Sequence, residues 1–131
     1  MLNQLCHELT GFDLLLNEYK TEIGHMISFS KQIRHLIWLD GGHSGTSNSW
    51  ITKEEIVLLV KSLNWSCYVF VTPYQIKSRK FWAIEEYNKF IDLLKSLNVN
   101  AKSVYYFEDK EDDYDVDIHF EVLRAFDTNL I

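Results

Sequence analysis

Histidine, aspartate, serine and glycine crowd together once in this chain, in HLIWLDGGHSGTSNSWITKEE, His35 to Glu55. Each residue type there has a possible chemical use. A serine between glycines on a sharp strand-to-helix turn is the nucleophile of Gly-x-Ser-x-Gly hydrolases. Ser44 comes close in Gly42-His43-Ser44-Gly45, but Thr46 stands where the last glycine belongs, and the next helical pattern starts only near Thr52. Ser44 is therefore poorly placed as a nucleophile. Gly41, Gly42 and Gly45 could turn N–H groups toward a phosphate. Neither the Lys-Ser/Thr ending of a P-loop nor a Gly-x-Gly-x-x-Gly fingerprint accompanies them, so no cofactor is expected. Asp40 and His43 could begin a metal site completed by Cys67 or His119. Without a spaced second pair, no metal is assigned. The plain alternative is a tight turn at Gly41-Gly42, with Ser44, Thr46, Ser47 and Asn48 satisfying loop backbone. Asp40 and His43 fit that alternative less well, because a carboxylate buried unpaired at a strand end costs several kcal/mol.

Three segments rich in branched and aromatic residues must position this loop: Arg34–Leu39, Cys67–Thr72 and Ser103–Phe107. Their continuous apolar character predicts strands covered on both faces, as in parallel sheets. Between them lie helical patterns. Thr52–Leu63 opens with Thr52-x-x-Glu55, the spacing of a capping box, and lines up Ile56, Leu59, Val60 and Leu63. Phe81–Leu97 repeats Ala83, Tyr87, Phe90, Ile91, Leu94 and Leu97 at helical spacing, which turns Glu85, Glu86, Lys89, Asp92 and Lys95 mostly outward. A leading helix is expected over Leu2 to about Leu9, another helical stretch over Phe12 to Lys20, and a short last helix after His119 through Phe120, Leu123 and Phe126. The order strand, helix, strand, helix, strand predicts an α/β fold with a short parallel sheet of about three strands between flanking helices. Right-handed crossovers then bring the loops after each strand to one edge, where α/β proteins bind ligands. That edge holds Asp40–Gly45, Thr72-Pro73-Tyr74-Gln75 and the acidic Glu108–Asp117, the last read as a solvated loop.

A chain of 131 residues, 47% apolar and 15% aromatic, predicts one globular domain. A net charge of −6 with scattered lysines and arginines argues against a nucleic-acid surface. Two cysteines suit a reducing compartment. No apolar run reaches the roughly 18 residues that cross a bilayer, and MLNQLCHELTGFD shows no targeting pattern.

The strings WLDGGHSG, SNSWIT, VTPYQI, Asn88-Lys89-Phe90 and IHFEVLRAF carry a resemblance that runs from LNQL through nearly all of the chain. In them the chain resembles a family of lipase-like α/β-hydrolase proteins, described as mitochondrial, whose human member is an open reading frame on chromosome two. The resemblance implies a mitochondrial protein and the carboxyl-terminal half of a hydrolase-like fold, residues 1–131 forming a single partial domain. It places the Gly-x-Ser-x-Gly elbow just upstream of the segment matching Leu2–Leu9. The chain would then be inactive alone, with the missing amino-terminal half, or a partner, covering an exposed sheet edge. Hydrolases of this fold order their triad as Ser, acid, His. The resemblance makes His119, beyond the last strand, the base. TPYQIKSRK holds no carboxylate, so Asp40, one strand earlier, becomes the acid, with His43 a competitor for a polar role. His119 could equally open a helix and pair with Asp115 or Asp117. A non-catalytic binding or scaffold module using the Asp40-Gly41-Gly42-His43-Ser44 edge is the alternative function.

Overall fold

The tetrapeptide Lys-Ser-Leu-Asn occurs twice, at 61–64 and 95–98, and each copy closes a helix and launches a strand. Asn64 and Asn98 adopt left-handed backbone (φ 56° and 53°), which asparagine tolerates better than most residues. The N–H of Trp65 reaches back to Val60 O and that of Val99 to Leu94 O, so both ends are Schellman-type stops. Each stop spends the last carbonyls of its helix and sends the chain directly into the sheet.

A computed structural model describes residues 2–15, 28–41, 49–77, 81–110 and 116–126, without the side chains of 11–15. Its elements are α1 (Leu2–Leu15), β1 (His35–Leu39), α2 (Glu54–Ser62), β2 (Ser66–Val71), α3 (Pro73–Ile76), α4 (Phe81–Ser96), β3 (Ala101–Tyr105) and α5 (Val116–Ala125). The three strands lie in the order β1-β2-β3, both pairs parallel, with Leu36 opposite Cys67 and Val69 opposite Ser103. This is the α/β arrangement of strands and flanking helices expected from the sequence.

Only β2 is apolar because both of its faces are covered. Cys67, Val69 and Val71 join Leu36, Trp38, Trp50 and Phe90 in the larger core, under α1, α2 and α4. Tyr68 and Phe70 face the other way, toward Val122 and Phe126 at the end of α5. On β1 only Leu36 and Trp38 are buried, and β3 begins with three exposed residues. The expectation that all three strands are covered on both faces is therefore corrected. β1 and β3 are the outer strands.

Other expectations shift with the packing. The third strand begins at Ala101 rather than Ser103, because the Asn98 stop delivers the chain straight into register with β2, and Phe107 (φ 59°) already lies in a turn. The Thr52–Glu55 capping box does not form. Lys53 is the N-cap and its carbonyl accepts from Ile56 and Val57. The residues before it, Trp50 and Ile51, are buried to within 1%, and burying them outweighs one capping bond. Val57 joins Ile56 and Val60 as the buried residues of the inner face, and Leu59 and Leu63 pack against the same core partly buried. The last helix contains His119 instead of following it. It turns Ile118 and Val122 inward and leaves Phe120 and Leu123 more than half exposed. Residues 16–20 of the expected second helical stretch lie outside the described residues.

Candidate functional site

Asp40 is one residue past β1, and its backbone makes a site of it. Its N–H still donates to Phe70 O at 2.8 Å, extending the β1–β2 ladder by one step. The chain then turns through a left-handed conformation (φ 47°), which aspartate tolerates. Gly41 must follow: a Cβ there would meet Trp38 Cδ1 at 2.9 Å. The turn tips the carboxylate over the carboxyl end of β2, where no part of it is solvent-exposed.

Three donors meet the carboxylate. Thr72 N–H donates to Oδ1 at 2.7 Å, the Thr72 hydroxyl donates to Oδ2, and His119 Nδ1 lies 3.1 Å from Oδ2. Thr72 stands at the N-cap of α3 yet makes no capping bond with its side chain, because that hydroxyl is committed to Asp40. Pro73 in the first turn supplies the φ that starts the helix. α3 then brings Tyr74 against the imidazole, ring centroids 5.3 Å apart, while Phe120 meets it edge-on at 4.9 Å.

A carboxylate only accepts hydrogen bonds, so the Asp40 contact puts the proton of neutral His119 on Nδ1. Nε2 is then the basic nitrogen. That is the tautomer a histidine needs to take a proton from a nucleophile while an acid holds its far side. The imidazole is about one-fifth exposed, whereas its partner is fully enclosed.

A second polar node holds the chain that returns from the loop. Glu86 Oε2 accepts from Ser49 N–H at 2.8 Å, Trp50 N–H at 3.2 Å and the Ser49 hydroxyl at 3.2 Å. Asn3 donates to Ser49 O and accepts from Trp38 Nε1 at 2.8 Å. Glu86 is therefore turned toward Ser49 and Trp50 rather than outward as its helical position suggested. Its carboxylate satisfies backbone donors that would otherwise be orphaned.

The expected pair Asp40 and His119 thus comes together across 79 residues of sequence. Gly42, His43 and Ser44 lie outside the described residues. Cys67 is the second residue of β2 and Thr72 follows the strand's end, a span of about 16 Å at ~3.3 Å per residue. A metal site joining Asp40 to Cys67 is excluded by that geometry. Both thiols, Cys6 and Cys67, are fully buried in the apolar core, and burial pushes each up to about 12 from 9.0. Thr72 and Tyr74 belong to the edge that the sequence assigns to ligands, without a role of their own there, and Glu86 is not among the residues it singles out for the site. The signal for Thr72 was its place before a proline at a strand exit; nothing local marked Glu86.

The family profile C2orf69 matches residues 1–100. The chain belongs to the C2orf69 family. It is 33% identical over 127 residues to the mouse mitochondrial protein C2orf69 homolog, and 31% identical over 135 residues to human mitochondrial protein C2orf69. The zebrafish homolog is 29% identical over 127 residues. These matches take in 95–96% of this chain but 32–34% of each relative, so the chain spans about a third of their length. The relatives' names support a mitochondrial location for this C2orf69 family member. No solved structure matches. Among the described residues, no helix is long and apolar enough to cross a membrane.

Proposed function

We propose that this chain carries the acid and the base of a serine-hydrolase centre of lipase or esterase type, in a domain that is part of an α/β-hydrolase-like fold. The observation that carries the reading is the buried Asp40 carboxylate on His119 Nδ1 at 3.1 Å, at the carboxyl edge of a parallel sheet. In this role Asp40 orients the imidazole and stabilises the cation that forms when Nε2 takes a proton. Thr72 holds Asp40 at two points, so the carboxylate has one oxygen aimed at the ring. The nucleophile and the donors for the oxyanion come from polypeptide outside these residues, and the chain alone is inactive. The apolar rings of Tyr74 and Phe120 beside His119 suit the non-polar part of an ester.

The test compares this chain with the intact human relative on a short-chain nitrophenyl ester. The chain alone is expected to turn over nothing above buffer. The relative is expected to lose about 10³-fold or more when the residues matched to Asp40 or His119 are changed to Asn and Gln. Turnover by this chain that disappears in Ser44→Ala, or a relative indifferent to both changes, would sink the proposal.

A further inference from the structure

An ionised carboxylate offers lone pairs for about four hydrogen bonds, and Asp40 accepts three. Oδ2 takes two donors, the Thr72 hydroxyl and His119, while Oδ1 takes the Thr72 N–H alone. One acceptor position of a fully enclosed carboxylate is therefore unused among the described residues.

A donor without an acceptor stands at the end of β3. The Tyr105 hydroxyl is enclosed, yet no hydrogen-bond partner meets it among the described residues. Leu39 lies opposite Phe70 and Val71 opposite Tyr105, so Asp40, Val71 and Tyr105 form one row across the carboxyl edge of the sheet. Asp40 tips its carboxylate over the end of β2 to reach Thr72, which leaves one strand spacing, about 4.8 Å, between it and β3. One water, with two contacts of about 2.8 Å, spans such a gap. Burial lifts the Tyr105 phenol above its ordinary value, and the charges of Glu108 and Asp40, with neighbouring Tyr87, push it the same way. Tyr87 is already engaged by the Ser103 hydroxyl at 3.0 Å. The other enclosed donor without a partner, Trp50 Nε1, differs: its ring lies among those of Tyr87 and Phe90, 5.5 and 5.6 Å away.

We infer that Tyr105 is a positioning residue for Asp40: its hydroxyl donates to one buried water, which donates in turn to Oδ1. Enclosed hydroxyls are rarely left unsatisfied, and buried waters commonly join two polar groups that do not meet directly. Thr72 and the water then hold Oδ1 from two sides and keep Oδ2 on His119. This deepens the reading above and rests on it for the use made of Asp40 as an acid. The link itself rests on the row across the sheet and on the enclosed hydroxyl.

Tyr105→Phe tests it, because it keeps the ring and removes only the hydroxyl. Removing a hydroxyl that merely lacks a partner would leave the urea midpoint unchanged or raise it. The water-linked hydroxyl gives the opposite result, a midpoint lower by about 0.5 M. In the Asp40→Ala background the same change is expected to move the midpoint by less than about 0.1 M. The Thr72 amide proton reports on Oδ1 directly. In Tyr105→Phe its resonance is expected to move downfield, as its bond to Oδ1 tightens once the competing donor is gone. A midpoint that does not fall, an equal loss in both backgrounds, or an unmoved Thr72 amide would overturn the inference. None of these measurements reads turnover, so a human relative indifferent to changes at its matched acid and base would sink the hydrolase reading and leave the link to Asp40 standing.

Discussion

Replacing Asp40 by alanine removes the acceptor for three donors at once. Thr72 and Asp40 are both fully buried, so the Thr72 N–H and hydroxyl lose their partner with no water to replace it. Leaving a buried donor unsatisfied costs about 1–3 kcal/mol, and breaking a buried charged contact by removing one partner about 3–5 kcal/mol. His119 is partly exposed and can turn to solvent, so its share is the smallest. The expected loss for Asp40→Ala is therefore about 3–5 kcal/mol. With an m-value of about 2 kcal/mol per molar urea, that lowers the unfolding midpoint by about 2 M. Thr72→Val, which keeps shape and backbone N–H but removes the hydroxyl, should lose about 1–2 kcal/mol. A cycle of Asp40→Ala, His119→Ala and the double variant reads the contact itself, with a coupling of about 1 kcal/mol or more. An Asp40→Ala loss under about 1 kcal/mol, together with a cycle that closes near zero, would show that these residues do not meet.

Other measurements follow from the same geometry. Phe90→Ala empties the space between Trp38 and Trp50, whose rings lie 5.2 and 5.6 Å from it, and should cost about 3–5 kcal/mol with a change in tryptophan emission. Glu86→Ala orphans the Ser49 and Trp50 N–H groups; a loss of about 1–3 kcal/mol is expected, with faster proteolysis near Ser49. The two thiols make stability fall in alkali. They ionise near 9.0 when unfolded and about 12 when folded, so above pH 9 the unfolded chain binds fewer protons and is favoured. Two such groups remove about 2–3 kcal/mol between pH 8 and pH 10, and a Cys6→Ala, Cys67→Ala double variant should lack that slope when unfolding is followed at both values. Lys110→Ala should change the urea midpoint by less than about 0.5 kcal/mol equivalent, since the pair with Glu121 is exposed on both sides.

What the sequence made legible is the part ruled by local rules. CYVFV reads as a buried strand because its apolar character is continuous, and Phe81–Leu97 reads as a helix because six apolar residues keep its period. Asp40 could be singled out because a carboxylate after a buried strand needs a partner. The partner's identity was a different matter. His119 has no local mark, and the apolar residues around it admit two helix rotations, one through Phe120 and Leu123 and one through Ile118 and Val122. Contact with Phe70 and with Asp40 selects the second, and both contacts are distant in sequence. Glu86 was hidden for the same reason, since the N–H groups that donate to it lie 36–37 residues back, on a chain returning from a loop.

The span between Asp40 and its two partners sets an order of assembly. Thr72 lies 32 residues beyond Asp40 and His119 lies 79 beyond. A nascent chain leaving the ribosome has both strands, and with them the Thr72 clamp on the carboxylate, long before the last helix is made. Closing the longer loop also carries the larger entropic cost. The first clamp fixes the acid as a rigid docking point, and α5 then arrives on a prepared surface formed by that carboxylate and the Phe70 ring. A product ending before residue 116 would keep its parallel sheet and expose Phe70. Such a product would be recognised by quality-control proteases as sticky before any assay registered the missing imidazole.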